Sequence, residues 1–458
     1  MLVEEVIVRV DEKESTSATE GYIDLSPYDL ANKGSTIPMG WFYETTLDVK
    51  LLLGSLKSTL QEYPVFCGRY EISHGSNRVI LNNAGVPVHV CSVDNADMRL
   101  SEAMSHIPTS TTSSIFLKGK LEPFLPSREG MHPDIGSSDS PLLSIKITLF
   151  PSGGTVIGTC IQHGISDADS IITFMRNWSR VFRGEAIDPK PIHSRKIVNE
   201  LDIGDIDDEQ QPPESHFKVV PPGEKNIPEF MAVMPKIMGA HVAVVGLCNE
   251  RLKEMKAAAN AGLEKEGTFI STDDILTAHI WRLFCEMRCV QIGISTDSEE
   301  ITTIARACNF RKRTEPQLGD GYCGNGVSQV WSQLSVRQLM ASTPTEIATG
   351  LRADLQKQSS MLVGARARWL QKMQDAGSST TIGFDALGLT FILSSWRFDW
   401  EAANFNAVPV CFDHAAHVPI VSVITPRPHD DGLNVYVSGP QHALGVFSER
   451  LIQATGAV

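Results

Sequence analysis

The run Gln162-His163-Gly164-Ile165-Ser166-Asp167 puts an imidazole and a carboxylate four residues apart at the end of a β-rich segment. An imidazole with an unperturbed pKa of about 6.5 accepts a proton near neutral pH, and the carboxylate is close enough to orient or brace the loop that carries it. A histidine merely satisfied at a strand end explains the same spacing, because HxxxD arises easily by chance. His163, Asp167 and Asp169 also offer metal donors, as do His414 and His417. The first group lacks a fourth ligand at a recognisable spacing and the second is Pro-flanked, so no metal is expected. A second candidate cluster, Ser394-Ser395-Trp396-Arg397-Phe398, follows the β-run LTFIL. An indole N–H is a single donor suited to an oxygen acquiring charge, and the serines could bond a polar ligand chain; core packing is the alternative.

Other chemistry is excluded by context. Gly319, Gly321 and Gly324 spell GxGxxG, but Pro316 precedes them and Asn325-Gly326-Val327 follows, so the strand and helix of a dinucleotide site are missing and the segment reads as a loop. There is no Walker A sequence and no GxSxG elbow, so neither a phosphate loop nor a covalent serine intermediate is indicated. With 54 acidic residues against 40 Lys and Arg the chain has a formal charge of −14, spread along its length, which argues against a nucleic-acid partner. Nine scattered cysteines without a CxxC pair read as reduced thiols of a cytoplasmic protein. No stretch approaches the roughly 20 apolar residues of a membrane span. The acidic N-terminus is unlike a signal peptide, and ATGAV carries no lipidation or peroxisomal signal. The sequon at Asn177 is read as chance.

The elements that must position these groups follow from periodicity. Alternation predicts strands over 5–10, 142–150, 155–162, 240–247, 301–307, 389–393, 420–424 and 433–438, with Ser152-Gly153-Gly154 as a hairpin turn. Helical spacing predicts helices over 47–63, 171–182 and 250–263, and another begun by Ser271 with Asp274 three residues on. Residues 103–141, rich in Ser, Pro and Gly, read as loop. The 458 residues exceed one ordinary domain. The polar, Pro-rich stretch 186–222 divides them into an N-terminal unit, 1–185, and a C-terminal unit, 223–458, each α/β (α+β), with a ligand cleft expected between them.

Taken together, the blocks resemble the BAHD acyltransferases, CoA-dependent enzymes of two chloramphenicol-acetyltransferase-like domains. Leu25-Ser26-Pro27, LLLGSLKSTLQEYPVFCGRY, HGISD, FISTDDILTAHIWR, NFRKR with GYCGN, and GLNVYVSGPQHAL carry the resemblance in order over nearly the whole chain. STDDILTAHIW and LSSW look like the fungal trichothecene acetyltransferase branch. Two departures stand out: NFNAV (404–408) replaces DFGWG, putting that loop's geometry in question, and Ala168 replaces the glycine after the aspartate. The resemblance implies mixed sheets flanked by helices, and an acyl-CoA co-substrate meeting a small alcohol or amine at His163 in a channel between the domains. It implies no permanently bound cofactor and a monomer. It makes His163 the general base, Trp396 the oxyanion donor, and Ser394 and Ser395 neighbours of the pantetheine arm or acyl carbonyl. Asp167 becomes a brace paired with Arg311, and the CoA phosphates are expected at the Ser271-Thr272 helix start, where free amides favour anions. The acyl group and acceptor are expected to be chosen by loops 27–43 and 380–400. Peptide-synthetase condensation domains share the fold and HxxxD but carry a second histidine where Gln162 stands; a non-catalytic scaffold is the other alternative.

Overall fold

A computed structural model describes residues 3–11, 21–73, 76–95, 98–127, 139–206, 217–221, 241–261, 263, 269–382, 388–417, 421–428 and 430–455. Two large mixed sheets dominate. The first runs, edge to edge, Val3–Val8, Val86–Ser92, Leu143–Leu149, Thr155–Gln162, Thr36–Tyr43 and Cys411–His414. The second runs Val327–Ser335, Ile301–Asn309, Thr390–Ser395, Val421–Pro426, Leu433–Gly439, His241–Leu247 and Ser113–Leu117.

Strand Thr155–Gln162 is buried along its whole length, which its near-continuous apolar and small residues permit. At its centre Gly158 lies opposite Gly40 of Thr36–Tyr43. A Cβ at Gly158 would strike the Phe124 carbonyl and one at Gly40 the Leu121 side chain, so the glycine pair lets segment 121–125 lie directly on the sheet. The strand delivers the chain to His163, and helix Ala168–Phe182 then buries Ile171, Phe174, Met175 and Trp178 against helix Val49–Glu62. In the second sheet, alternation sends Leu393, Ile424, Val435 and Val437 to the core beneath helix Thr272–Ile292. Ser394, Val423 and Tyr436 face the opposite way.

Two expectations are corrected. Within 103–141, read as loop, Ser113–Leu117 is a strand on the edge of the second sheet; residues 128–138 of that segment lie outside the described residues. In 27–43 and 380–400, read as pocket-shaping loops, Pro27–Ala31 is a helix, Thr36–Tyr43 a fully paired strand, and Thr390–Ser395 a strand paired on both sides in the second sheet, with 383–387 outside the described residues. The strands also cross the division at 186–222: Ser113–Leu117 lies in the second sheet, and Cys411–His414 pairs with Thr36–Tyr43 in the first. This exchange of edge strands locks the two halves together. Among the described residues no helix is long and apolar enough to cross a membrane, and all nine cysteines are free thiols.

Candidate active site

His163 sits in the turn between strand Thr155–Gln162 and helix Ala168–Phe182. Its amide donates to the Ser35 carbonyl at 2.9 Å, and its own carbonyl accepts from Asn325 Nδ2 at 2.7 Å, so the main chain is held from both sides. Gly164 is required here, because a Cβ would lie 2.6 Å from the Tyr70 hydroxyl. The imidazole is half-buried: Nδ1 is shut off from solvent with no hydrogen-bond partner, whereas Nε2 is not shut off. Burial, the largest influence, lowers the His163 pKa below 6.5 against the opposing pull of its own carbonyl, Asp167, Asn325 and Asp29. The ring is therefore neutral at pH 7, as a base must be.

Asp167 does not face that ring. It caps helix Ala168–Phe182, accepting from the Ser170 amide at 3.0 Å and from the Gly326 amide at 2.8 Å. Both its oxygens are clasped by Arg311, Nη1 to Oδ2 and Nη2 to Oδ1, each at 2.9 Å. Burial would raise this carboxyl, but the Arg311 guanidinium and the amide donors override it and hold it below the usual carboxylate range. Arg311, 1% exposed, also donates to Ser170 Oγ and to the carbonyls of Tyr322 and Gly324. Its Nε lies 3.6 Å from Asp169 Oδ2. Of the two carboxylates in the metal-like cluster, Asp167 is thus fully committed to Arg311, whereas Asp169, partly exposed, stands in ion-pair range of it without a hydrogen bond.

A second buried carboxylate, Asp29, was not singled out from the sequence. In LSPYD it forms a capping box with Ser26 and accepts from the Asn325 amide at 2.9 Å, Asn325 Nδ2 at 2.8 Å and Arg195 Nε at 3.2 Å. Arg195, from the segment read as linker, donates onward to the Ile165 carbonyl at 2.9 Å. Asn325 closes GYCGN, the segment read as a loop in spite of its GxGxxG spacing; no helix follows it, and strand Val327–Ser335 begins two residues later. The signal that could have found these residues was the S-x-x-D capping pattern at 26–29 and the invitation to ask what the polar end of GYCGN bonds.

Trp396 and Ser394 come together: the indole N–H donates to Ser394 Oγ at 2.9 Å, and the ring lies 4.9 Å from that of His414. The indole donor is therefore engaged, and the hydroxyl it holds is the group left to meet a ligand. Ser395 parts from Ser394. Ser394 shares the outward face with Val423, and Ser395 lies beside Ile424 on the helix-covered face. Ser271 caps helix Thr272–Ile292 by a capping box, its hydroxyl bonded to Asp274 Oδ2 at 2.6 Å. Asp274 in turn binds Arg306 at 2.9 Å and Arg352. The Ser271 hydroxyl is spent, which leaves the Thr272 and Asp273 amides as the uncapped donors of that helix start. In NFNAV, Phe405 is buried against Trp178 and Phe182 at 5.0 and 5.4 Å, and Asn406 takes the left-handed conformation, φ 59°, that a glycine supplies most cheaply.

Residues 7–453 match the family profile described as the Transferase family. The chain belongs to this family, the BAHD acyltransferases. It is 27% identical over 323 residues to agmatine coumaroyltransferase-1 of Hordeum vulgare, a match covering 69% of this chain and 64% of that enzyme. It is 25% identical to stemmadenine O-acetyltransferase of Catharanthus roseus, over 90% of this chain and 88% of that one. Its fold is that of TRI101 of F. graminearum, solved with coenzyme A and deoxynivalenol: TM-score 0.73, 17% identity, 93% of this chain and 96% of that one.

Proposed function

We propose that this BAHD protein transfers an acyl group from an acyl-CoA to the hydroxyl or amine of a small acceptor, with His163 as general base and without an acyl-enzyme. The observation that carries the reading is the division of labour in HGISD: His163 is neutral with Nε2 unblocked, while Asp167 is wholly occupied by Arg311. Asp167 is thus a brace and not a proton relay.

In this mechanism the acceptor approaches His163, and Nε2 takes its proton as its oxygen or nitrogen bonds to the thioester carbonyl carbon. The carbonyl oxygen gains the displaced electron pair. The Ser394 hydroxyl, oriented by the Trp396 N–H behind it, is the donor assigned to that oxyanion. When the oxyanion collapses the C–S bond breaks, and the imidazolium returns its proton to the thiolate, releasing CoA and the ester or amide. The CoA phosphates are assigned to the Thr272 end of helix Thr272–Ile292, where the uncapped amides remain, and Ser395 to the neighbourhood of the pantetheine arm. Acyl-CoA is a co-substrate in this reading and not a resident cofactor, and the enzyme acts as a monomer in the cytoplasm. The names of its relatives support both amine and alcohol acceptors.

The test is incubation with acetyl-CoA and 4-coumaroyl-CoA against a panel of alcohols and amines, with thiol release followed continuously. Acceptor-dependent release supports the proposal. Release only from carrier-bound acyl groups would move the chain to condensation-type chemistry, and CoA binding without release would make it a scaffold.

A further inference from the structure

A cavity of about 410 Å³ that shares no residue with the site above opens between helices Thr272–Ile292, Pro344–Gln356 and Gln441–Ala454. His279 and Arg282 line it from the first helix and Arg450 and Gln453 from the last, while Leu283, Pro344 and Ala454 supply an apolar wall. No carboxylate is among these lining residues, in a chain whose formal charge is −14.

The acids of these helices that come near the cavity are already engaged. Glu286, one turn beyond Arg282, is ion-paired to Arg450. Glu346 caps helix Pro344–Gln356, accepting from the Thr343 amide at 2.7 Å and its hydroxyl at 2.8 Å. Arg282 has no acid of its own among the described residues. Its Nη1 donates to the Ser342 carbonyl at 3.1 Å, which fixes the guanidinium and leaves its other donors for a ligand. His279, one turn before it, is held below its ordinary pKa by burial first and by the Arg282 charge second, so the cationic pair lacks a balancing anion. With Arg450 offset by Glu286, one positive charge is left over, which suits a monoanion better than a phosphate dianion. The guanidinium fork matches a carboxylate, and the apolar wall asks for an organic body behind it. We propose that this cavity binds a small organic monocarboxylate, its carboxylate on Arg282 with His279 donating beside it and its apolar body against Leu283, Pro344 and Ala454. The site stands independently of the proposed acyl transfer, because the two share no residue.

Carbon NMR on the full chain labelled with 13C-histidine tests this, with the His279 ring assigned by its loss in His279→Gln. Benzoate and 4-coumarate are the probes, with 4-coumaryl alcohol as the neutral counterpart and inorganic phosphate as the dianion. Both acids should shift the His279 signals with a dissociation constant in about the millimolar range and raise the ring's pKa by about 1 unit. Arg282→Gln should weaken that binding about tenfold or more. Glu286→Gln, which frees Arg450, should tighten it about threefold and serves if Arg282→Gln does not fold. His163→Ala should bind both acids as the wild type does. Unmoved His279 signals at concentrations tenfold above that range overturn the proposal. So do equal binding of the alcohol, tighter binding of phosphate, a folded Arg282→Gln that binds as the wild type does, or loss of binding in His163→Ala, which would place the acid in the candidate active site.

Discussion

The Asp167–Arg311 pair allows the sharpest energetic test. Both side chains are about 2% exposed, the contact is bidentate, and Arg311 further satisfies Ser170 Oγ and two carbonyls. Removing one partner from such a pair leaves an uncompensated buried charge and costs about 3–5 kcal/mol, whereas removing both leaves only lost packing and unmet hydrogen bonds. Asp167→Asn and Arg311→Met should therefore each destabilise by about that amount, and the double variant by much less than their sum, giving a coupling of at least about 2 kcal/mol. Urea denaturation of the four proteins closes the cycle, given matching m-values. The rate arm is independent: because Asp167 braces the His163 turn and moves no proton, Asp167→Asn should keep more activity per folded molecule than His163→Ala. Additive single effects, or an Asp167→Asn that folds normally and is as inactive as His163→Ala, would refute the brace.

Since burial depresses the His163 pKa, kcat/KM should be flat above about pH 7 and fall on the acid side with a midpoint below 6.5; a midpoint above 6.5 contradicts the environment described. Asp167, whose folded pKa is depressed, contributes stability that is fully present above about pH 4 and lost as the pH falls through its folded value, so denaturation midpoints should show no Asp167-dependent change between pH 5 and 8. Gly326→Ala would drive a methyl into the Arg311 guanidinium and should cost stability by more than 1 kcal/mol, read by the same urea titration. If Ser394 meets the oxyanion, Ser394→Ala should lower kcat about 10²- to 10³-fold with little change in KM, and Trp396→Phe should do less, because the indole acts through the serine.

Much of this was legible in the chain because the signals were local. The alternation of Thr155–Gln162, the apolar stripe of Ala168–Phe182 and the Ser271 cap each report their own element. The pairing of Asp167 with Arg311, 144 residues away, came through the family resemblance and stands in the structure as a bidentate contact. The strands Ser113–Leu117 and Cys411–His414 were missed for a physical reason: each is short and lies at a sheet edge in the other half of the molecule, so its partner, and not its own periodicity, makes it a strand. Asp29, Arg195 and Asn325 were missed for the same kind of reason, since their roles exist only where three distant segments meet. In NFNAV, Phe405 is anchored by the Trp178 ring and Asn406 takes a left-handed conformation, features set by tertiary packing that the five-residue string does not announce.

The central claim is that one neutral imidazole moves the proton. The direct measurement is the initial rate of thiol release by His163→Ala and wild type with the same acyl-CoA and acceptor, alongside their thermal unfolding curves. The account expects a loss of roughly 10²- to 10⁴-fold with an unchanged unfolding midpoint. A variant that folds and retains more than about a tenth of the wild-type rate would contradict it.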